Sequence, residues 1–266
     1  PAIDRFQHRP RIQPIFGLQL VSNAGGDAIY LLYDQEPVAG FPYGSLNVRR
    51  FDASNLSWGP RRRLSGPALG IPSVAAAVDG DGVLSVVYNA DRARRTVAAR
   101  RLRHGLWTRP TQVLDVAGSP AAVTLGTAVA NGANHVLAAA AAINSSATAR
   151  VYAVRWNGSR WLAETVSTVL ATDADYTYPM RVFPAWSGSG EAAVIAFSMG
   201  GYSSASYDDG VDGWSAPASP PALSPDSNGF FSLSTSPLGT PFAVYRAQPD
   251  AQHPSIGPDA GSWLLN

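Results

Sequence analysis

Tryptophan spacing constrains this chain more than any other feature. Trp58, Trp107, Trp161, Trp214 and Trp263 are separated by 49, 54, 53 and 49 residues. Their contexts read NLSWGPRRRL, HGLWTRPTQVL, GSRWLAETVSTVL and DGWSAPASPPAL, with GSWLLN at the end. Trp156 and Trp186 fall outside the series. A period of roughly 50 residues is the mark of a repeat array in which each unit is one supersecondary element.

A second feature repeats in step with the first. Upstream of each Trp lies a turn rich in Gly, Asn or Asp between two apolar runs: NAGGD (23–27), DGDG (79–82), NGAN (131–134), GSGE (188–191) and PLGT (237–240). Such residues tolerate positive φ and close hairpins. A third run, such as LNVRRFD, TVAARRLR or ARVYAVRW, alternates apolar and polar residues before the Trp turn. Each unit therefore reads as strand A, Gly turn, strand B, loop, strand C, Trp turn, strand D. The Ala-rich run at 136–142 would suit a helix by propensity alone, but its place in the repeat makes it strand B.

The expected fold is all-β, a five-bladed β-propeller of four-stranded antiparallel blades. Blades are expected at about 12–66, 67–116, 117–171, 172–223 and 224–266, in one domain over 1–266. The last unit leaves little room for a strand D, so residues 1–11 are expected to complete it and close the ring. The alternative is a fragment of a longer array. Closure matters because an open ring would expose two sheet edges.

With these strings in view, the chain resembles the Trp-marked propellers of the tachylectin-like and fucose-lectin-like types. It also partly resembles the sialidase Asp-box, S-x-D-x-G-x-x-W. Ser206, Asp208 and Gly210 fit that box, with Trp214 one residue late, and Asp52 stands at the same distance from Trp58. The resemblance implies a ligand-binding propeller, with Asp-boxes as structural turns remote from any chemistry.

Charge is distributed unevenly. All 20 basic residues are Arg; residues 1–110 carry 15 Arg against 8 acids (+7), and residues 111–266 carry 5 Arg against 11 acids (−6). Two such arcs suit a charged partner surface or docking into a larger assembly. No nucleic-acid motif accompanies them. The absence of Cys excludes disulfides, thiolate metal sites and thiol nucleophiles. No apolar run approaches the ~18 residues of a spanning helix, and the expected location is extracellular, periplasmic or cell-surface.

In a propeller the B–C and D–A loops share one face, and rigidly carried loops supply most binding sites. On that face Phe41 and Tyr43, the cluster Arg92, Arg94 and Arg95, and the group Asp173, Asp175, Tyr176 and Tyr178 are the candidate ligand residues. Aromatic faces beside carboxylates and guanidinium groups suit sugars, and suit protein interfaces equally. Trp58, Trp107, Trp161, Trp214 and Trp263 read as structural residues packing the blades.

Catalytic patterns are weak. The four His are scattered and no G-x-S-x-G elbow exists. Glu36, Asp173, Asp175 and Asp226 are the main acids on the loop face, and none lies in a strand-borne acidic motif that would pair carboxyl groups across a sugar. Asp79 and Asp81 imitate the start of a calcium loop without its later ligands. The expectation is a non-enzymatic recognition module without metal or cofactor, carbohydrate-binding first. The alternatives are a scaffolding subunit with a protein partner, and a glycosidase-type propeller.

Overall fold

Alternating apolar runs broken by Gly-rich turns produce strands throughout. In the computed structural model the described residues are 19–35, 45–64, 74–91, 95–116, 123–132, 134–143, 148–170, 181–186, 192–197, 203–208, 213–216, 231–235, 241–246 and 260–264. Among them there is no helix. They form five antiparallel sheets, each from strands consecutive in the chain.

The first sheet contains β1 (Gln19–Ser22), β2 (Ile29–Gln35), β3 (Ser45–Asp52), β4 (Ser57–Trp58) and β5 (Arg62–Arg63). The second contains β6 (Val74–Val78), β7 (Leu84–Asn89), β8 (Thr96–Arg103), β9 (Leu106–Trp107) and β10 (Thr111–Asp115). The third is β11 (Val123–Ala130), β12 (Val136–Ile143), β13 (Thr148–Trp156) and β14 (Trp161–Leu170). The fourth is β15 (Arg181–Trp186), β16 (Ala192–Phe197) and β17 (Ser203–Asp208), and the fifth β18 (Phe231–Thr235), β19 (Pro241–Arg246) and β20 (Ala260–Leu264).

The fourth position of each unit depends on proline. After Trp58 and Trp107 come Pro60 and Pro110, and the outer strand is split into β4 with β5 and β9 with β10. Proline has no N–H for the ladder and is confined to edges and breaks. After Trp161 no proline follows, and β14 runs unbroken for ten residues.

First strands of successive sheets touch in order: β1 with β6, β6 with β11, β11 with β15 and β15 with β18. This is the propeller-like arrangement of sheets standing side by side. At the β11–β15 contact, Gly126 has no room for a side chain. A Cβ there would fall on the Val182 carbonyl oxygen, with the carbonyl carbon at 2.7 Å and Cγ2 at 2.8 Å.

The core lies between sheets. One apolar cluster joins the first and second sheets through Leu32, Val48, Leu84 and Val86. Another joins the second and third through Val87, Val97, Ala138 and Ala140. A third joins the third and fourth through Leu137, Ala139, Val182 and Val194. In β12, odd-numbered residues Leu137, Ala139 and Ala141 face the fourth sheet, and Ala138, Ala140 and Ala142 face the second. A strand covered on both faces becomes a continuous apolar run, which is why the 136–142 alanines form a strand. It also explains why β8 is buried at Val97–Ala99, Arg101 and Leu102 instead of alternating with solvent.

The series tryptophans do not all occupy one position. Trp58, Trp107 and Trp161 open outer strands and pair with Phe51, Leu102 and Trp156. Trp263 lies within the third strand β20, opposite Ala243 of β19. Among the described residues that strand is the last of its sheet, where the repeat predicted a turn. Residues 1–11, expected to supply a closing strand, lie outside the described residues.

Candidate binding groove between the first two sheets

Strand pairing places one arginine at the same position in three sheets. Arg50, Arg101 and Arg155 each precede by one residue the partner of the outer-strand Trp. Their surroundings differ.

Arg101 is buried. Its Nη2 donates to Asp79 Oδ2 at 2.5 Å, Nε to Ser85 Oγ at 3.1 Å and Nη1 to Asn134 Oδ1 at 2.7 Å. The guanidinium lies over the Trp156 ring at 4.6 Å, and Trp156 Nε1 donates to the same Asn134 oxygen at 3.0 Å. Burial lowers the Arg101 pKa, and Asp79 opposes that shift. Asp79 Oδ1 meanwhile accepts the N–H groups of Asp81 and Val83 at 3.1 and 3.0 Å. Both of its oxygens are thus engaged by the turn and the ion pair, which is how the calcium-like DGDG string is used.

Arg155 lies between two tryptophans of the fourth unit, 5.3 Å from the Trp186 ring centre and 5.6 Å from that of Trp214. Trp214 Nε1 donates to Glu164 Oε2 at 3.0 Å, tying the third sheet to the next. His135 meets Trp186 edge-on, with ring centres 6.0 Å apart.

Among the described residues Arg50 has no such cover. At the position of Trp156, the second sheet carries Leu102. Between the first two sheets there is a groove of about 890 Å³, lined among others by Tyr30, Arg50, Phe51, Arg62, Asp81 and Arg103. Its floor is fixed by Tyr30, whose hydroxyl donates to the Gly82 carbonyl at 3.1 Å. Burial raises the Tyr30 pKa, so that hydroxyl keeps its proton at neutral pH. Arg62 Nη1 donates to the Gly105 carbonyl and closes one end. Gly82 and Gly105 have φ of 74° and 77°, and a Cβ at Gly105 would lie 3.1 Å from Arg62 Nη2.

Not all the charges in the groove are available. Asp27 accepts from Asn23 Nδ2 at 2.6 Å, and this hydrogen bond holds its carboxyl below the usual carboxylate range. Asp52 accepts from Ser54 Oγ at 2.6 Å, Ser54 N–H at 3.0 Å and Asn55 Nδ2 at 2.8 Å, with the same effect. The exposed guanidinium groups of Arg50 and Arg103 make no hydrogen bond or ion pair among the described residues. Arg50 stands 5.9 Å from the Tyr30 ring centre.

The A–B and C–D turns form this groove, at the end of the sheets opposite the B–C and D–A loops. Of the loop residues singled out from sequence, Phe41, Tyr43, Arg92, Arg94, Asp173, Asp175, Tyr176 and Tyr178 lie outside the described residues. Arg95 is exposed, and its N–H donates to Asp91 Oδ1 at 2.8 Å. Trp107, Trp161 and Trp214 pack against the first, second and third inter-sheet clusters. Trp58 tilts against Phe51 with ring centres 5.2 Å apart. Arg50 and Arg103 escaped the sequence reading. For Arg50 the available signal was the Arg repeated near the end of the third strand in the first three sheets, in RRFD, RRLR and VRW.

The sequence matches no protein-family model and no curated protein. Among solved structures, the Hadza microbial sialidase Hz136 is similar at 15% identity and a TM-score of 0.58, over 89% of this chain and 53% of that one. The chain thus spans about half the length of that sialidase. AofleA from Arthrobotrys oligospora is similar at 14% identity and a TM-score of 0.55, over 94% of this chain and 68% of that one. A fungal lectin from Aleuria aurantia, described as a six-bladed β-propeller with a novel fucose recognition mode, aligns at 14% identity and a TM-score of 0.49, over 93% and 74%. At these identities the likeness is one of fold: antiparallel sheets in a propeller-like array.

Proposed function

We propose that this chain is a non-enzymatic carbohydrate-recognition module, a five-bladed propeller that holds a saccharide in the groove between its first two sheets. The observation that carries the reading is the contrast among three equivalent arginines. Arg101 and Arg155 are covered by the chain's own tryptophans, whereas Arg50 faces a groove of about 890 Å³. Half-buried Phe51 offers a ring face to sugar C–H groups, and the guanidinium forks of Arg50 and Arg103, without a partner among the described residues, suit sugar oxygens. A concave site with few convergent polar groups is the usual form of a small-ligand pocket.

The carboxylates support a binding role over hydrolysis. Glycoside hydrolysis needs one carboxyl whose pKa is raised so that it can donate a proton. Asp27 and Asp52 are both shifted the other way by their own turns.

A glycan array followed by calorimetric titration tests the reading. The expected result is binding of at least one saccharide class with one site per chain, lost in Arg50→Ala. Binding that survives Arg50→Ala but disappears in Tyr176→Ala would move the site to the loop face. A chain that binds nothing on the array has no carbohydrate function.

A further inference from the structure

The groove lies in the most basic part of the described chain. Residues 45–64 hold five Arg and one Asp, and residues 95–116 hold five Arg and one Asp, ten against two. These stretches provide the third and outer strands of the first two sheets. Of the acids lining the groove, Asp27 and Asp52 are held by their own turns. Asp79, just behind it, is held by Arg101. Asp81 is the one lining carboxylate without a hydrogen bond among the described residues. Three lining Arg stand against these three lining acids: Arg62 is anchored to the Gly105 carbonyl, while Arg50 and Arg103 make no hydrogen bond or ion pair among the described residues, and His104 is exposed beside them.

A neutral sugar hydroxyl can satisfy a guanidinium only in part, because it carries no compensating charge. A carboxylate or sulfate satisfies it with two parallel charge-assisted hydrogen bonds, roughly twice as strong as neutral ones. Two forks with no partner among the described residues, one on each wall of the groove, in strands and turns that carry ten Arg against two Asp, therefore select an anion. Resting on the carbohydrate reading above, we infer that the groove takes a saccharide bearing a carboxylate or sulfate group, held by the guanidinium groups of Arg50 and Arg103. Arg62, anchored to the Gly105 carbonyl, fixes the groove's end and adds its charge without leaving its place. The surrounding arginines extend the positive field along the strands, so an acidic oligosaccharide is favoured over a single acidic sugar.

The test is calorimetric titration of the intact chain with four probes: an oligogalacturonate, its methyl-esterified neutral counterpart, a sulfated galacto-oligosaccharide and the unsulfated form. At least one acidic probe is expected to bind at least about 10-fold more tightly than its neutral counterpart. Which of the two binds assigns carboxylate or sulfate. Raising the salt from 0.05 to 0.5 M (roughly 14 to 4 Å in screening length) should weaken that binding. Arg50→Ala and Arg103→Ala should each weaken it about 10- to 100-fold, the effect of losing a charge-assisted hydrogen bond. Arg160→Ala, an exposed change in the third sheet, should leave it unchanged. Both groove arginines are exposed, so an unaltered melting temperature verifies folding in each variant. Equal binding of a neutral probe and its acidic partner overturns the inference and leaves the carbohydrate reading standing. Poly-L-glutamate bound as tightly as the acidic saccharides overturns it in favour of an acidic protein partner. Failure of all four probes overturns it as well, and the glycan array then shows whether carbohydrate binding falls with it.

Discussion

Arg101 and Asp79 meet at 2.5 Å on the side of the second sheet that faces the third, with side-chain exposures of 9% and 0%. The pair is hydrogen-bonded on both sides and capped by Trp156. Breaking a buried ion pair from one side costs more than the pair contributes, because a charge is stranded without water. Asp79→Ala is accordingly expected to lower unfolding stability by about 3–5 kcal/mol. A urea titration read by Trp fluorescence measures this. Adding Arg101→Met should recover part of the loss, and a double variant no better than Asp79→Ala alone would contradict the account.

Arg50 occupies the same register in the first sheet and should behave differently. It is exposed and makes no ion pair among the described residues, so Arg50→Ala should change stability by no more than about 0.5 kcal/mol. The same urea titration on Arg50→Ala and Arg101→Ala compares them directly. Similar losses in both would mean that the groove is a structural seam rather than a ligand site.

Acid should loosen two turns. The folded pKa values of Asp27 and Asp52 lie below the usual 3.8, held there by hydrogen bonds from Asn23 and Ser54. A carboxyl with a depressed folded pKa adds stability that is present above its unfolded pKa and lost as pH falls through the folded value. The melting temperature should therefore lose these contributions progressively below about pH 4. Asp52→Asn should flatten that part of the profile; an unchanged slope would assign the acid sensitivity to other groups.

Gly126 tests the spacing of the sheets. A methyl group there would strike the Val182 backbone, which cannot swing aside as a side chain can. Gly126→Ala should destabilise by about 1–3 kcal/mol or more, the cost of overpacking. Gly25→Ala, whose Cβ would meet side-chain atoms alone, Asp27 Oδ1 at 3.3 Å and Asn23 Nδ2 at 3.9 Å, serves as the mild comparison. Equal denaturant midpoints for the two would show that β11 and β15 can separate cheaply.

The division of the chain into strands was readable because two signals repeat together. The Gly-rich turn marks the A–B hairpin, and the Trp marks the C–D turn. The alanines of β12 were assigned correctly only because position in the repeat outweighed helix propensity. Trp263 misled, since spacing along the chain does not reveal whether a Trp ends a third strand or opens an outer one. The groove was not legible for a related reason. Arg50, Arg101 and Arg155 look alike in sequence, and only cross-sheet neighbours decide which is covered: Trp156 over one, Trp186 and Trp214 around another. A site defined by what a neighbouring sheet lacks leaves no motif of its own.

Because the apolar clusters among the described residues lie between sheets, the second and third sheets draw stability from the slabs on either side. Such an array is stabilised as a sum of nearest-neighbour terms. The third sheet, whose β12 contributes to two clusters, is clamped from both directions. The seam between the first two sheets has the cluster beneath but, among the described residues, no indole over Arg50 above. In the proposed reading that end of the seam admits the ligand without any neighbouring seam giving up a contact, and recognition and cohesion fall to different parts of one repeated design.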